Sequence, residues 1–236
     1  MKYIQDFLDY LFQLIHGGLN AIGITDAGIA YVLAIAVLTL LIKIVLLPLN
    51  IKQMKSQAAM QEIQPELQKL QAKYKNDPQK QQAEMMKLYK ENNVSPFSGC
   101  LPLIIQMPIL FALYYVFRKI DFGGATFLGI SLGANNSAIG LPFSLILPIL
   151  AGASTYLSSW LLQRNNSNKN NNNNNNAAPA MNMGGMNIGM SIFMGVMAYN
   201  FEAALVMYWI INSLLQALQS YFIVILPAKR KAREAK

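Results

Sequence analysis

A run of 23 residues, 27 to 49 (AGIAYVLAIAVLTLLIKIVLLPL), holds one charged side chain, Lys43. A helix rises about 1.5 Å per residue and a bilayer's hydrocarbon core is about 30 Å thick, so a run of this length can cross it. Residues 97–117 and 140–163 carry no charge and are also long enough to span. Residues 181–228 are uncharged except for Glu202; these 48 positions are too long for one crossing and fit two, 181–201 and 203–227, turning at Asn200 and Glu202. Composition agrees, because only 13% of the 236 residues are charged, against about 25% in a soluble domain, and the mean hydropathy is +0.30. The expected fold is an all-α polytopic membrane protein with five transmembrane helices around a hydrophilic groove, plus a cytoplasmic helical hairpin.

Basic residues set the expected orientation, since Lys and Arg flanking the spans stay in the cytoplasm. With the N-terminus outside and the C-terminus inside, the inner segments 50–96, 164–180 and 228–236 hold 15 Lys and Arg, and only Lys2, Arg118 and Lys119 lie outside. Five spans without a visible repeat argue against transporters built from two similar halves.

Residues 1–26 are expected to form an external amphipathic helix along the membrane interface. Asp6 and Asp9 would interrupt a signal peptide's apolar core, and no small-x-small cleavage site follows. Ile4, Phe7, Leu8, Leu11, Phe12 and Ile15 instead recur at helical spacing. Residues 50–96 read as the cytoplasmic hairpin: Ile63, Leu67, Leu70 and Tyr74 form one apolar stripe, Asn76-Asp77-Pro78 breaks the chain, and Met85, Met86, Leu88 and Tyr89 begin a second. Pro65 and Glu66 suit a first helical turn. Its lysines are a solvated face or a docking surface for acidic groups. Residues 118–139 are expected to be an external loop. The Asn-rich stretch 164–180 has no apolar pattern and reads as a disordered cytoplasmic loop, and 228–236 as a basic tail that anchors topology or touches ribosomal RNA.

One Cys and one His exclude a disulfide framework and multi-ligand Cys/His metal sites, so no metal is expected. His-based acid–base catalysis has no pair to work with, a Ser158/Lys43 dyad is conceivable but poorly supported, and Cys100 reads as a small packing residue. Lys43 is the most informative position. A cation within a span costs about 2.5 to 3.5 kcal/mol unless it faces a polar cavity, although a long side chain can also snorkel to the interface. Polar neighbours favour a cavity: Thr39 lies one turn before Lys43 on the same face, Gln106 is on the second span, Thr155, Ser158 and Ser159 are on the third, and Trp209, Asn212, Gln216 and Gln219 stripe the fifth with Tyr208 alongside. Seven of the 13 Met residues lie between Met181 and Met207, as apolar filling or as a pliable surface, and Gly185 and Gly189 could let two helices approach closely.

A cation followed by LLPL in the first span, QPELQKLQAKYKNDPQKQQAEMMKLYKENNVSPFSGCLPLIIQMPILFALYY at 64–115, LPILAG at 147–152 and LVMYW with Asn212 at 205–212 together resemble the YidC/Oxa/Alb family of membrane protein insertases. The resemblance covers about residues 30–227 and is close to bacterial YidC without the large periplasmic domain. It implies a non-enzymatic insertase and chaperone of the bacterial plasma membrane, with no cofactor. Its partners would be nascent membrane proteins and the lipid bilayer, with the ribosome, through the basic tail, and the Sec translocon as candidates. On this resemblance Lys43 is the groove cation, Thr39 and Trp209 line the substrate path with Tyr208 nearby, and Ser158 stands where many relatives have Gln; the polar faces add Gln106 and Asn212 to the expected groove. The hairpin, with Glu66, Glu84 and Met85, would capture substrate early. The family cation is usually Arg, so Lys43 keeps the charge without the planar fork. No phosphate-binding G-x-x-x-x-G-K-[ST] is present, so energy would come from burying substrate apolar segments and from the membrane potential. The rival reading is an anion channel or transporter that uses Lys43; a third is a scaffold in which Lys43 only snorkels.

Overall fold

The computed structural model describes residues 2–95, 101–135, 143–163 and 183–227. Cys100, the Asn-rich stretch, residues 136–142 and the basic tail therefore lie outside the described residues. The helices are α1 (Lys2–Ala21), α2 (Ala27–Val45), α3 (Leu47–Glu62), α4 (Gln64–Lys73), α5 (Pro78–Glu91), α6 (Leu101–Lys119), α7 (Phe143–Gln163), α8 (Met183–Asn200) and α9 (Ala203–Ser220), which runs on into a π turn, Tyr221–Ile225. Among the described residues, Ala27–Val45, Ser144–Leu161 and Ala203–Ile225 are each long and apolar enough to cross a membrane. With α6 and α8 they make the five-helix arrangement.

Asp26 starts α2 by accepting the Ile29 amide at 2.8 Å, a side-chain cap for an otherwise orphaned donor. The helix stops at Val45, short of residue 49, because Pro48 lacks an N–H and suits the first turn of a new helix, α3. The break is confined to Leu46. Its N–H still donates to the Ile42 carbonyl at 3.0 Å, and its carbonyl accepts the Asn50 N–H at 2.8 Å. The hairpin is thus joined to the first span with almost no linker, and its first arm is two helices, broken again at Ile63 ahead of Pro65.

The second arm, α5, is capped by Asp77, whose carboxylate accepts the Lys80 amide at 3.1 Å. Met60, Ile63, Leu67, Tyr89 and Val94 bury one another in a small core of their own, with Met85 and Leu88 packed on it. Burial raises the Tyr89 hydroxyl above its ordinary pKa.

The main core is where α1, α2, α6, α7, α8 and α9 meet. Phe12 of α1 is fully buried and stands edge-on to Phe117 of α6, ring centroids 5.8 Å apart. The periodicity of α1 explains this: Leu8, Phe12, Ile15 and Leu19 form the stripe that enters the core. Tyr3, Phe7, Tyr10 and Leu14, also at helical spacing, form a second apolar stripe that stays exposed. The predicted stripe of Ile4, Phe7, Leu8, Leu11, Phe12 and Ile15 straddles the two, since Ile4 and Phe7 are exposed while Leu8 and Phe12 are buried.

The described part of the expected external loop, residues 118–135, is structured. It contains an antiparallel pair, β1 (Thr126–Phe127) and β2 (Ile130–Ser131). This hairpin docks on the start of α9, where the Ala203 and Ala204 amides donate to the Ala134 and Leu132 carbonyls, both at 3.0 Å. It also presses on α2 at Gly28, where a Cβ would overlap the Thr126 carbonyl. Arg118 and Lys119, two of the three cations expected outside, pair with Glu202 at 3.6 Å and with Asp9 at 3.8 Å.

Between α7 and α8 the close approach falls at Gly152 and Gly195, where a Cβ would lie 3.2 Å from the Ser191 carbonyl and 3.3 Å from the Pro148 carbonyl respectively. At Gly189, half of the expected glycine pair, a Cβ would meet open space. Of the methionines in this stretch, Met194 and Met207 are buried and Met190 and Met197 half-buried.

Candidate functional site

Lys43 ends up in the last turn of α2, 8% exposed. Among the described residues no carboxylate lies within ion-pair distance of it. A buried cation without a counter-charge is stable only beside water or other polar groups. The structure provides the second. Lys43 opens onto a cleft lined by Ile42, Leu46, Asn50, Gln53, Met54, Gln57, Ile105, Gln106, Ile109, Tyr208, Asn212 and Gln216, with about 510 Å³ of space between atoms, open solvent included.

Four elements build this lining. Lys43, Leu46, Asn50, Gln53 and Gln57 follow at steps of 3, 4, 3 and 4, one face running unbroken from α2 into α3. Tyr208, Asn212 and Gln216 come from successive turns of α9, and α6 contributes Gln106. The Gln106 amide donates to the Tyr208 hydroxyl at 2.6 Å, tying α6 to α9 across the cleft.

Of the predicted groove residues, Lys43, Gln106, Tyr208 and Asn212 line the cleft together. Thr39, Ser158 and Trp209 do not. Thr39 is buried one turn deeper and donates to the Ile35 carbonyl of its own helix at 2.6 Å. Ser158 is buried between α7 and α9, donating to the Ser213 carbonyl at 2.7 Å, so it is not paired with Lys43 as a nucleophile. Trp209 is half-buried on a neighbouring face of α9, one residue and about 100° round from Tyr208. Asn50, Gln53 and Gln57 went unrecognised as lining, because the chain after Leu49 reads as a soluble insert; the unbroken 3-4-3-4 spacing from Lys43 was the available signal.

In the hairpin, Glu66 and Glu84 border a shallow charged groove between α4 and α5 with Lys69, Lys73, Lys87 and Glu91. Met85 packs against the hairpin's own core, and its neighbour Met86 is the exposed methionine.

A five-helix membrane bundle, sealed by apolar side chains at one end and open at the other as a polar cleft that holds a buried cation, is the architecture these residues define. Residues 23–230 match the family described as 60Kd inner membrane protein. The chain is 52% identical over 236 residues to the membrane protein insertase YidC of Clostridium perfringens, covering 99% of this chain and 95% of that one. It is 41% identical over 235 residues to the protein of the same name from Clostridium tetani, covering 99% of both. It also superposes on a crystal structure of an active YidC insertase with its first transmembrane domain resolved, with a TM-score of 0.66 and 26% identity over 94% of this chain. The chain spans 47% of the length of that solved protein. The chain belongs to the 60Kd inner membrane protein family, with the YidC insertases.

Proposed function

We propose that this protein is a non-enzymatic insertase that moves the polar end of a nascent membrane protein partway across the bilayer and releases its apolar segment into lipid. One observation carries this reading above all: a cleft whose buried cation has no ion-pair partner among the described residues stops at a sealed core. Leu38, Leu113, Phe117 and Leu205 are each no more than 1% exposed just beyond the cleft. An anion channel or transporter built on Lys43 would need a path through these side chains, so the seal favours the insertase over it.

Lys43 attracts the acidic, hydrophilic end of the substrate, and the attraction is stronger at the cleft than in bulk water because the surroundings are less polarisable. The cleft shortens the apolar distance that end must cross. The substrate's apolar segment leaves along α7 and α9, whose Ile149, Tyr156, Trp160, Leu214, Leu218 and Phe222 are exposed in the structure. Burying that segment in lipid drives the step, and the membrane potential adds about 2.3 kcal/mol per charge per 100 mV. Thr39 and Ser158 shape the helices around the path, Trp209 borders it on α9, and the α4–α5 hairpin, with Glu66, Glu84 and Met85, makes first contact with substrate. In this reading the N-terminus faces outward from a bacterial plasma membrane and the cleft faces the cytoplasm, where the basic tail meets the ribosome and a Sec translocon cooperates for some substrates.

The test is insertion of a small single- or double-spanning reporter in cells depleted of their own insertase. Lys43→Arg is expected to support insertion, while Lys43→Gln and Lys43→Glu lose about tenfold or more, the equivalent of about 1.4 kcal/mol. Normal insertion by all three variants would sink the charge-capture step.

A further inference from the structure

Six of the 13 residues lining the cleft are carboxamides, namely Asn50, Gln53, Gln57, Gln106, Asn212 and Gln216, and none is a carboxylate. Charge capture by Lys43 gives no reason for so many neutral amides. A primary amide is the chemical image of a peptide group: its NH2 gives two donors and its carbonyl oxygen accepts. A polypeptide leaving water in an extended form carries bare N–H and C=O groups, and each costs several kcal/mol in hydrocarbon if unmatched, whereas a helix has already paired its own.

The geometry on α3 fits this need. Asn50, Gln53 and Gln57 lie on one face over about 10 Å of helix, the length of about three extended residues. Gln53 is 6% exposed, and its amide nitrogen has no hydrogen-bond partner among the described residues. A buried donor left unmet is costly, so a site that keeps one is prepared for an acceptor from elsewhere.

We infer that the carboxamide lining recognises the peptide backbone of an unfolded, extended substrate segment, with Gln53 donating to a substrate carbonyl, whatever that segment's side chains. This inference rests on the insertase reading and divides its labour. Lys43 reads charge, and the amides read the absence of secondary structure. Neutral partners of both hydrogen-bonding senses also let the chain slide, since no single contact is a strong ionic one.

The experiment compares two reporters that share one transmembrane segment, one with an acidic N-terminal tail and one with an uncharged Gly/Ser/Asn tail, in depleted cells at equal membrane abundance of each variant. Gln53→Leu with Gln57→Leu is expected to lower insertion of both tails by a similar factor, about three- to tenfold. Gln53→Asn with Gln57→Asn should recover most of the loss, and Lys43→Gln should weaken the acidic tail more than the neutral one. Wild-type insertion of both tails by the Leu pair would overturn the inference. So would a loss confined to the acidic tail, or an Asn pair as defective as the Leu pair. A wild-type chain that inserts neither tail would overturn the insertase reading itself.

Discussion

At the β-hairpin end of the bundle, α2, α6 and α9 contribute Leu38, Leu113, Phe117 and Leu205, none more than 1% exposed. Toward the opposite end the same helices contribute Lys43, Gln106, Tyr208 and Asn212 to an open cleft. The change takes five residues on α2 and seven on α6, about 8 to 10 Å. The sealed end is locked by apolar packing plus a docked loop, and at the polar end the Gln106 amide bonds across the cleft to the Tyr208 hydroxyl. One set of helices can therefore be a barrier and a basin in series, provided the polarity of each switches at the same depth.

The largest expected effect comes from damaging the seal. Phe117→Ala removes the ring that meets Phe12 edge-on and should cost about 3–5 kcal/mol, read by thermal unfolding in detergent micelles. An unchanged midpoint would mean that the sealed end is not the structural anchor. Gly28→Leu drives a side chain into the Thr126 carbonyl and should cost about 1–3 kcal/mol while freeing the β-hairpin; protease cleavage within residues 122–133 measures the release. At the polar end, Gln106→Leu leaves the buried Tyr208 hydroxyl without its donor, a loss of about 1–3 kcal/mol. Adding Tyr208→Phe should return most of it, and strict additivity of the two changes would break the claim that this bond ties the cleft walls.

The smallest effect is a pH dependence at the outer clasp. Burial raises the Glu202 carboxyl above its ordinary value, and Arg118 pulls it down by a lesser amount. A raised carboxyl in the folded state favours the protonated form, so its contribution is full below the ordinary carboxylate range and is lost as pH rises through the raised value. Glu202→Gln, which mimics the protonated form, should therefore gain in Tm relative to wild type as pH rises above the ordinary carboxylate range. The opposite slope would make the Arg118 ion pair the dominant interaction.

Much of this was legible in the chain. Apolar runs of spanning length marked the helices of the bundle, Asn76-Asp77-Pro78 marked the turn between α4 and α5, and Lys43, Gln106, Tyr208, Asn212 and Gln216 marked five of the 13 residues that line the cleft. What was missed was missed for physical reasons. Polarity along α9 marks two adjacent faces, and only the Tyr208 face meets the cleft. Hydroxyls in spans can be satisfied by a carbonyl of their own or a neighbouring helix, as Thr39 and Ser158 are, so polarity alone does not place them on a water-filled surface. The α7–α8 seam depends on which glycine faces a carbonyl, and that requires the partner helix.

The one-residue interruption at Leu46 has a mechanical consequence. Because the hydrogen-bond ladder bridges it on both sides, the junction transmits load instead of absorbing it as a hinge would. The hairpin that reaches out from the membrane and the cation at the base of the cleft sit on a single lever, with Asn50, Gln53 and Gln57 mounted along its arm. A pull that reaches α3 would therefore be expected to turn the cleft wall that carries Asn50, Gln53 and Gln57, coupling the width of the basin to the posture of the arm.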